Sequence, residues 1–169
     1  MELDGRNRIF VSYIDKSREY YLAQGFGNPY RWAHHSDAPF LPLRKPLAES
    51  RMALVTTAMP MEGRESRAPL GRLPKKTAYA AASDPAPGAL FTQDLAWDKE
   101  ATHTNDVESF LPLKRLTEAE QSQRIGAAGP RFYGVPTEYS QRNTIENDAP
   151  AILGWCREDS IDAALLIGL

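Results

Sequence analysis

Arg51-Met52-Ala53-Leu54-Val55-Thr56-Thr57-Ala58 is a short apolar run with β-branched residues toward its end. A strand covered on both faces reads as an unbroken apolar run, whereas a strand with one wet face alternates. The run therefore predicts a parallel strand inside an α/β sheet. Downstream, residues 59–88 are rich in Pro, Gly and Arg and hold no periodic pattern, which predicts a long loop. Ala89-Leu90-Phe91 is a candidate extra strand near its end.

The remaining chain alternates helix and strand signals. Leu116 to Gln123 predicts a helix, with Thr117 as N-cap, Glu120 completing a capping box, Ile125 on its apolar face and Gly126 at its end. Arg131-Phe132-Tyr133-Gly134-Val135 predicts a second strand, stopped by Pro136. Asn147-Asp148 opens a further helix with Pro150 in its first turn, and Ile152, Leu153, Trp155 and Cys156 form its apolar stripe. After a turn at Asp159-Ser160, Ile161 to Leu169 reads as a buried strand. Strand, helix, strand, helix, strand predicts a right-handed, three-layer, mostly parallel sheet of the Rossmann or flavodoxin-like kind over residues 51–169. Sites in such sheets form at the carboxyl ends of the strands. Three ends qualify: Thr56-Thr57, the residues after Val135, and Gly168-Leu169.

Residues 1–50 read as an irregular arm, aromatic and proline-rich. Ile9 to Ile14 suits a short strand or a helix start, and Asp15 to Gln24 predicts a helix carrying Tyr20, Tyr21 and Leu22, closed by Gly25. Pro29, Pro39, Pro42 and Pro46 then favour an extended path, with Trp32, Phe40, Leu41 and Leu43 as its anchors.

Length and composition narrow the function classes. A chain of 169 residues is one domain with room for an arm, and 42% hydrophobic with 25% charged residues is ordinary for a globular protein. A net charge of -2 and a pI near 5.9 argue against nucleic acid as the main partner. Arg64, Arg67, Arg72, Lys75 and Lys76 make a locally basic loop, read as solvated surface. No apolar run has the length of a membrane span, and Met1 to Arg6 does not open a signal peptide. A single cysteine, Cys156, allows no internal disulfide and suits a reducing cytoplasm.

Thr102-His103-Thr104-Asn105-Asp106-Val107-Glu108 is the densest polar segment, and it suits the mouth of a site better than a core. His103 titrates near neutrality, and Asp106 three residues on could orient it as a catalytic pair. The plainer reading is a loop histidine bonded by its neighbours. A metal reading counts His103, Asp106 and Glu108, with His34 or His35 added from the arm. Thr137 to Thr144, with Tyr139 and Arg142, follows a strand end and precedes a helix, so Arg142 could hold a carboxylate by its fork. Cys156, beside Trp155 on an apolar stripe, reads as a structural thiol. Gly25-Phe26-Gly27 and Gly126 to Gly129 lack the strand–turn–helix setting of a phosphate loop.

Several of these segments also follow a familiar order. Met52 to Ala58, His103-Thr104-Asn105-Asp106, Arg115-Leu116 with Arg124-Ile125-Gly126, Tyr133-Gly134-Val135-Pro136, Asp148-Ala149-Pro150 and Asp159 to Ile167 together resemble the selenoprotein B family of glycine, sarcosine, betaine and D-proline reductases. The resemblance is closest to the branch of the D-proline reductase selenoprotein subunit and spans about residues 45–169. It implies reductive cleavage of a carbon–nitrogen bond in an amino-acid-like substrate. It also implies a selenocysteine or cysteine just after the last strand, a second thiol nearby, and a sister subunit that supplies an activating carbonyl group. Cys156 does not match the nucleophile's position, which would begin where the given chain stops, at Leu169. The expectation is therefore a chain read up to a UGA codon for selenocysteine, or a short subunit whose partner carries the nucleophile.

The resulting expectation is a cytoplasmic subunit or fragment of a selenol- or thiol-dependent reductase, homo- or hetero-oligomeric, with no cofactor and no resident metal. His103 and Asp106 are its catalytic pair. Thr57, Thr104, Asn105, Tyr139 and Arg142 hold substrate. Two other classes remain: a non-catalytic interaction subunit whose arm wraps a partner, and a metal-dependent lyase or hydrolase built on His103 and Asp106.

Overall fold

The computed structural model describes residues 13–27, 36–37, 41–61, 76–92, 103–136 and 140–169. They fall into two compact units, Met1–Phe40 and Leu41–Leu169. In the first unit, helix α1 (Tyr13–Ala23) starts two residues ahead of the expected Asp15 and is followed by Gly25 at positive φ, as its sequence predicts. Tyr21 packs edge-on against Tyr20 and Phe26, with ring centroids 5.6 and 6.0 Å apart, and all three rings are exposed.

The second unit is mixed α/β around a mostly parallel sheet. Its elements are β1 (Arg51–Thr56), β2 (Met59–Pro60), β3 (Tyr79–Ala82), β4 (Leu90–Phe91), α2 (Leu113–Gln121), β5 (Ala127–Ala128), β6 (Arg131–Gly134), a helical segment and β7 (Ala163–Ile167). The helical segment runs from α3 (Gln141–Asn143) through a π-helical turn at Thr144–Asp148 into α4 (Ala149–Glu158). β7 pairs in parallel with β1 from Met52 to Thr56, so one edge of β1 is fully taken. β5 and β6, also parallel to β1, must share the other edge. They are two halves of one strand: Met52 pairs Ala128 and Val55 pairs Tyr133, so the partner spends two extra residues at Gly129-Pro130. A proline in a strand belongs at such a bulge. β3 adds antiparallel to the far side of β6, and β2 with β4 forms a separate antiparallel pair.

Alternation along β1 divides the core. Met52 and Leu54 face Leu113, Leu116 and Ile125 on and just after α2, whereas Ala53 and Val55 face Ile152, Trp155 and Cys156 on α4. Helices thus cover opposite faces of β1, which explains its unbroken apolar run. Phe132 and Tyr133 of β6 likewise point to opposite faces.

An Arg131 fork clamps α4 to the sheet. Its Nε and Nη2 donate to the two Asp159 carboxylate oxygens at 2.7 and 2.9 Å, and Nη2 also reaches Glu158 at 2.9 Å. Tyr133 donates its hydroxyl to Asp159 at 2.7 Å and stacks on Trp155, so a buried phenol keeps a partner. At the amino ends of the strands, Asp162 accepts from the Arg51 backbone at 2.7 Å and pairs with Lys45 at 2.8 Å.

Several expectations are corrected. Residues 59–88 are not all loop, since β2 and β3 lie among them, and the candidate strand at 89–91 is β4. α2 begins at Leu113, so Thr117 is no cap: it lies inside the helix and donates back to the Leu113 carbonyl at 3.1 Å. The cap comes from upstream, where the Glu108 carboxylate accepts the Lys114 N–H at 3.1 Å, and Glu120 instead accepts from Ala128 at 3.2 Å. Gly126 does not end the helix; a Cβ there would collide with the backbone of Glu49 and Ser50, which β5 passes closely. The last helix, α4, opens at Asp148-Ala149 with Pro150 in its first turn, as its sequence predicts; what the sequence did not announce is the helical lead-in before it, α3 and the π-helical turn, where Ser140 accepts the Asn143 N–H. Leu41 and Leu43 are exposed and anchor nothing, since residues 41–50 are held by the Lys45 ion pair and by Ser50 donating to the Pro46 carbonyl at 2.9 Å. Trp32 and Phe40 lie outside the described residues. Finally, β7 is not a buried strand: Leu165 is 53% and Leu166 79% exposed. In register with Leu54 and Val55, they point to opposite faces, beyond the reach of α2 and α4.

Candidate functional site

The parallel register brings two strand ends level. Thr56 pairs with Ile167 on one edge of β1 and with Gly134 on the other. Beyond β1 and β7, the Leu169 backbone N–H donates to the Thr57 hydroxyl at 2.8 Å. The Val135 N–H donates to the Thr56 carbonyl at 2.9 Å on the other side. The three strand ends named from sequence therefore meet across β1.

The turn that follows α2 lies by the amino ends of the strands, where the Gly126 N–H meets the Leu47 and Ser50 carbonyls. Phe110 and Leu111, ahead of α2, belong to the same core cluster as Ala58, just past β1. The α3–α4 segment follows β6, and its far end lies at the amino edge, where Arg51 reaches the Asp159 carbonyl at 2.8 Å.

Side chains within these loops are less joined. His103 is exposed, and its Nδ1 accepts a long 3.4 Å contact from the Asn105 N–H. Asp106 is committed to the 3-10 turn Val107–Ser109: its carboxylate accepts the Glu108 N–H at 3.1 Å, and its carbonyl accepts the Ser109 hydroxyl at 2.7 Å. Among the described residues, no hydrogen bond or ion pair joins His103 to Asp106. Thr104 is half-buried and Asn105 exposed. Arg142 is exposed and lies 3.6 Å from Glu146, one helical turn on. Tyr139, His34 and His35 lie outside the described residues. Among those described, no group of three or more His, Cys, Asp or Glu side chains is placed to hold a metal ion. No helix among them is long and apolar enough to cross a membrane.

Cys156 is half-buried against Tyr133 and Trp155. Burial pushes its thiol up, and the Tyr133 hydroxyl only partly opposes this. A thiol held protonated is a poor nucleophile. The Arg131 guanidinium holds the Asp159 carboxyl below the usual carboxylate range. That network joins α4 to β6 through Arg131 and Tyr133, and its work is to fasten the helix.

Sequence reasoning missed Tyr79. Antiparallel pairing sets it opposite Gly134, and a Cβ at Gly134 would overlap its ring. Its hydroxyl donates to the Ala58 carbonyl at 2.7 Å, immediately after Thr57. Burial pushes its ionisation well above the usual tyrosine value, so the phenol remains a donor. Only the aromatic residue ahead of Ala80-Ala81-Ala82 could have drawn notice in the sequence. A separate cleft of about 420 Å³ lies between Pro60, Ala81, Pro85, Pro87, Leu90 and Phe132, but none of its lining residues is an acid, base or nucleophile.

Comparison with family models, with curated proteins and with solved structures finds no match to this chain.

Proposed function

We propose that this chain is a subunit or fragment of a selenoprotein-B-like reductase, which cleaves a carbon–nitrogen bond in an amino-acid-like substrate at the carboxyl ends of β1 and β7. The observation that carries this reading is the strand order. Taken in chain order, the three parallel strands lie second, first, third, with β1 in the middle. That is the order at which a flavodoxin-like sheet reverses direction, and ligands of such sheets bind outside the carboxyl ends of the first and third strands. Here those ends are tied through Thr57 and Leu169.

On this reading Thr57, Thr104 and Asn105 contact substrate, His103 moves the proton and Asp106 shapes the loop that presents it. Arg142, with Tyr139, takes the substrate carboxylate. Its exposed pair with Glu146 does not prevent this, because such a pair is worth only about 0.3–0.5 kcal/mol, less than a bidentate guanidinium–carboxylate contact offers. Cys156 is not the nucleophile. A selenolate or thiolate from outside these residues attacks the substrate carbon, and the amine leaves with a proton. A second thiolate then attacks the chalcogen, the carbon takes a proton, and the resulting selenenyl sulfide or disulfide is reduced by a dithiol. The setting is cytoplasmic, within an oligomer that includes a sister subunit.

The test is dithiol-dependent reduction of D-proline, glycine, sarcosine and betaine by the complex from its native host. Replacing His103 with Ala should abolish turnover and leave the fold intact; unchanged kcat/KM in that variant removes His103 from the mechanism.

A second reading, a non-catalytic interaction subunit, draws support from the exposed leucines of β7 and from the exposed Tyr20, Tyr21 and Phe26. Interface cores are enriched in such aromatic residues. A complex that binds its sister subunit but turns over none of the four substrates would favour it.

A further inference from the structure

We infer that Tyr79 is a positioning residue that holds the turn carrying Thr57, and through it the Leu169 backbone. Thr57 and Ala58 are the whole link between β1 and β2. Two residues leave little freedom, yet three contacts converge on them. The Ala58 N–H turns back to the Thr56 hydroxyl at 3.3 Å, the Ala58 carbonyl receives the Tyr79 hydroxyl at 2.7 Å, and the Thr57 hydroxyl receives the Leu169 N–H at 2.8 Å. Ala58 is fully buried, so a carbonyl that lost its phenol would have to move to find another donor. Moving it rotates the Ala58–Met59 peptide and, through the one residue between them, shifts Thr57.

The Tyr79 ring is itself held from three sides. Gly134 leaves it the space of a missing side chain, Phe132 meets it edge-on at 6.1 Å, and β3 is paired to β6 along its full length. The orientation of Thr57 is thus set from the β6 side of β1, while its hydroxyl acts on the β7 side. Tyr79 relays the β6 register to the β7 end across the central strand.

The consequence for chemistry rests on the reductase reading, in which the chain beyond β7 presents the reactive group; the positioning itself does not. The test reads it without turnover. Amide exchange is followed by NMR in the 169-residue chain, comparing wild type with Tyr79→Phe, Gly134→Ala and Thr57→Val. Tyr79→Phe keeps the ring on Gly134 and removes only the hydroxyl. The Leu169 amide should then exchange about fivefold to tenfold faster, as loss of one hydrogen bond implies, while amides in α2 and β5 keep their rates. Thr57→Val should match it, since it removes the acceptor directly. Gly134→Ala, which displaces the ring, reports the same contact from its other side. An unchanged Leu169 rate in Tyr79→Phe, or a uniform acceleration of all amides, overturns the inference. A reductase that fails to turn over substrate, with Leu169 responding as stated, leaves the inference standing and removes the functional reading alone.

Discussion

The Thr57 hydroxyl accepts the Leu169 backbone N–H at 2.8 Å, closing a separation of 112 residues. It joins the ends of β1 and β7, the first and third parallel strands, at the point where the sheet's winding reverses. The hydroxyl fixes the backbone just beyond β7 to the residue just beyond β1.

Thr57→Val keeps the shape of the side chain and removes the acceptor. It should cost about 1 kcal/mol, concentrated at the end of β7. Denaturant unfolding should therefore show a small shift in midpoint with an unchanged slope.

Gly134→Ala tests the close approach of Tyr79. A methyl group there overlaps the ring, which must leave its place between Phe132 and the Ala58 carbonyl. The expected cost is about 1–3 kcal/mol, measured by thermal unfolding. Pairing it with Tyr79→Ala should recover part of that loss, because the obstructing ring is gone.

Asp159 makes stability depend on acid. Its carboxyl is held below the usual range by Arg131, so folding favours the charged form. That contribution is complete above the unfolded carboxylate value of about 3.9 and disappears as the pH falls through the lower folded value. Asp162, held down by Lys45, acts in the same direction. Asp159→Asn should lower stability at pH 7 by about 1.5–3 kcal/mol and flatten the acid limb of the stability profile. An unaltered acid limb would show that Arg131 does not clamp α4 through this carboxylate.

The parallel strands and the order of elements were legible because their signals are local. Met52 to Val55 is covered on both faces and reads so, and Phe132-Tyr133 supplies one large side chain to each face. β3 was not legible, since Tyr79-Ala80-Ala81-Ala82 is ordered by its pairing to β6 rather than by any pattern of its own. The start of α2 was missed because its cap, Glu108, lies six residues from the Lys114 N–H it accepts. The exposure of β7 was misjudged because an apolar strand reads the same at an edge as in the middle of a sheet. Within the site, Thr57 was identifiable as a strand end, but its bond to Leu169 and the Tyr79–Gly134 contact are tertiary.

On the proposed reading as part of an oligomer, Leu165 and Leu166 separate the isolated chain from the assembly. Leu166→Lys, at a residue 79% exposed, should change the stability of the chain alone by no more than about 0.5 kcal/mol. In the native complex the same change should weaken assembly, read as earlier dissociation on dilution. A large loss of stability in the isolated chain would mean that β7 is already covered there.

The most direct test of the central claim is mass spectrometry of the complex from its native host, alkylated at mildly acidic pH where selenolates and activated thiolates react and ordinary thiols do not. The account predicts a labelled selenocysteine or cysteine, in sequence just after Leu169 or in a tightly bound sister subunit, with Cys156 unlabelled. A complex with no reactive chalcogen, or with the label on Cys156, would contradict it.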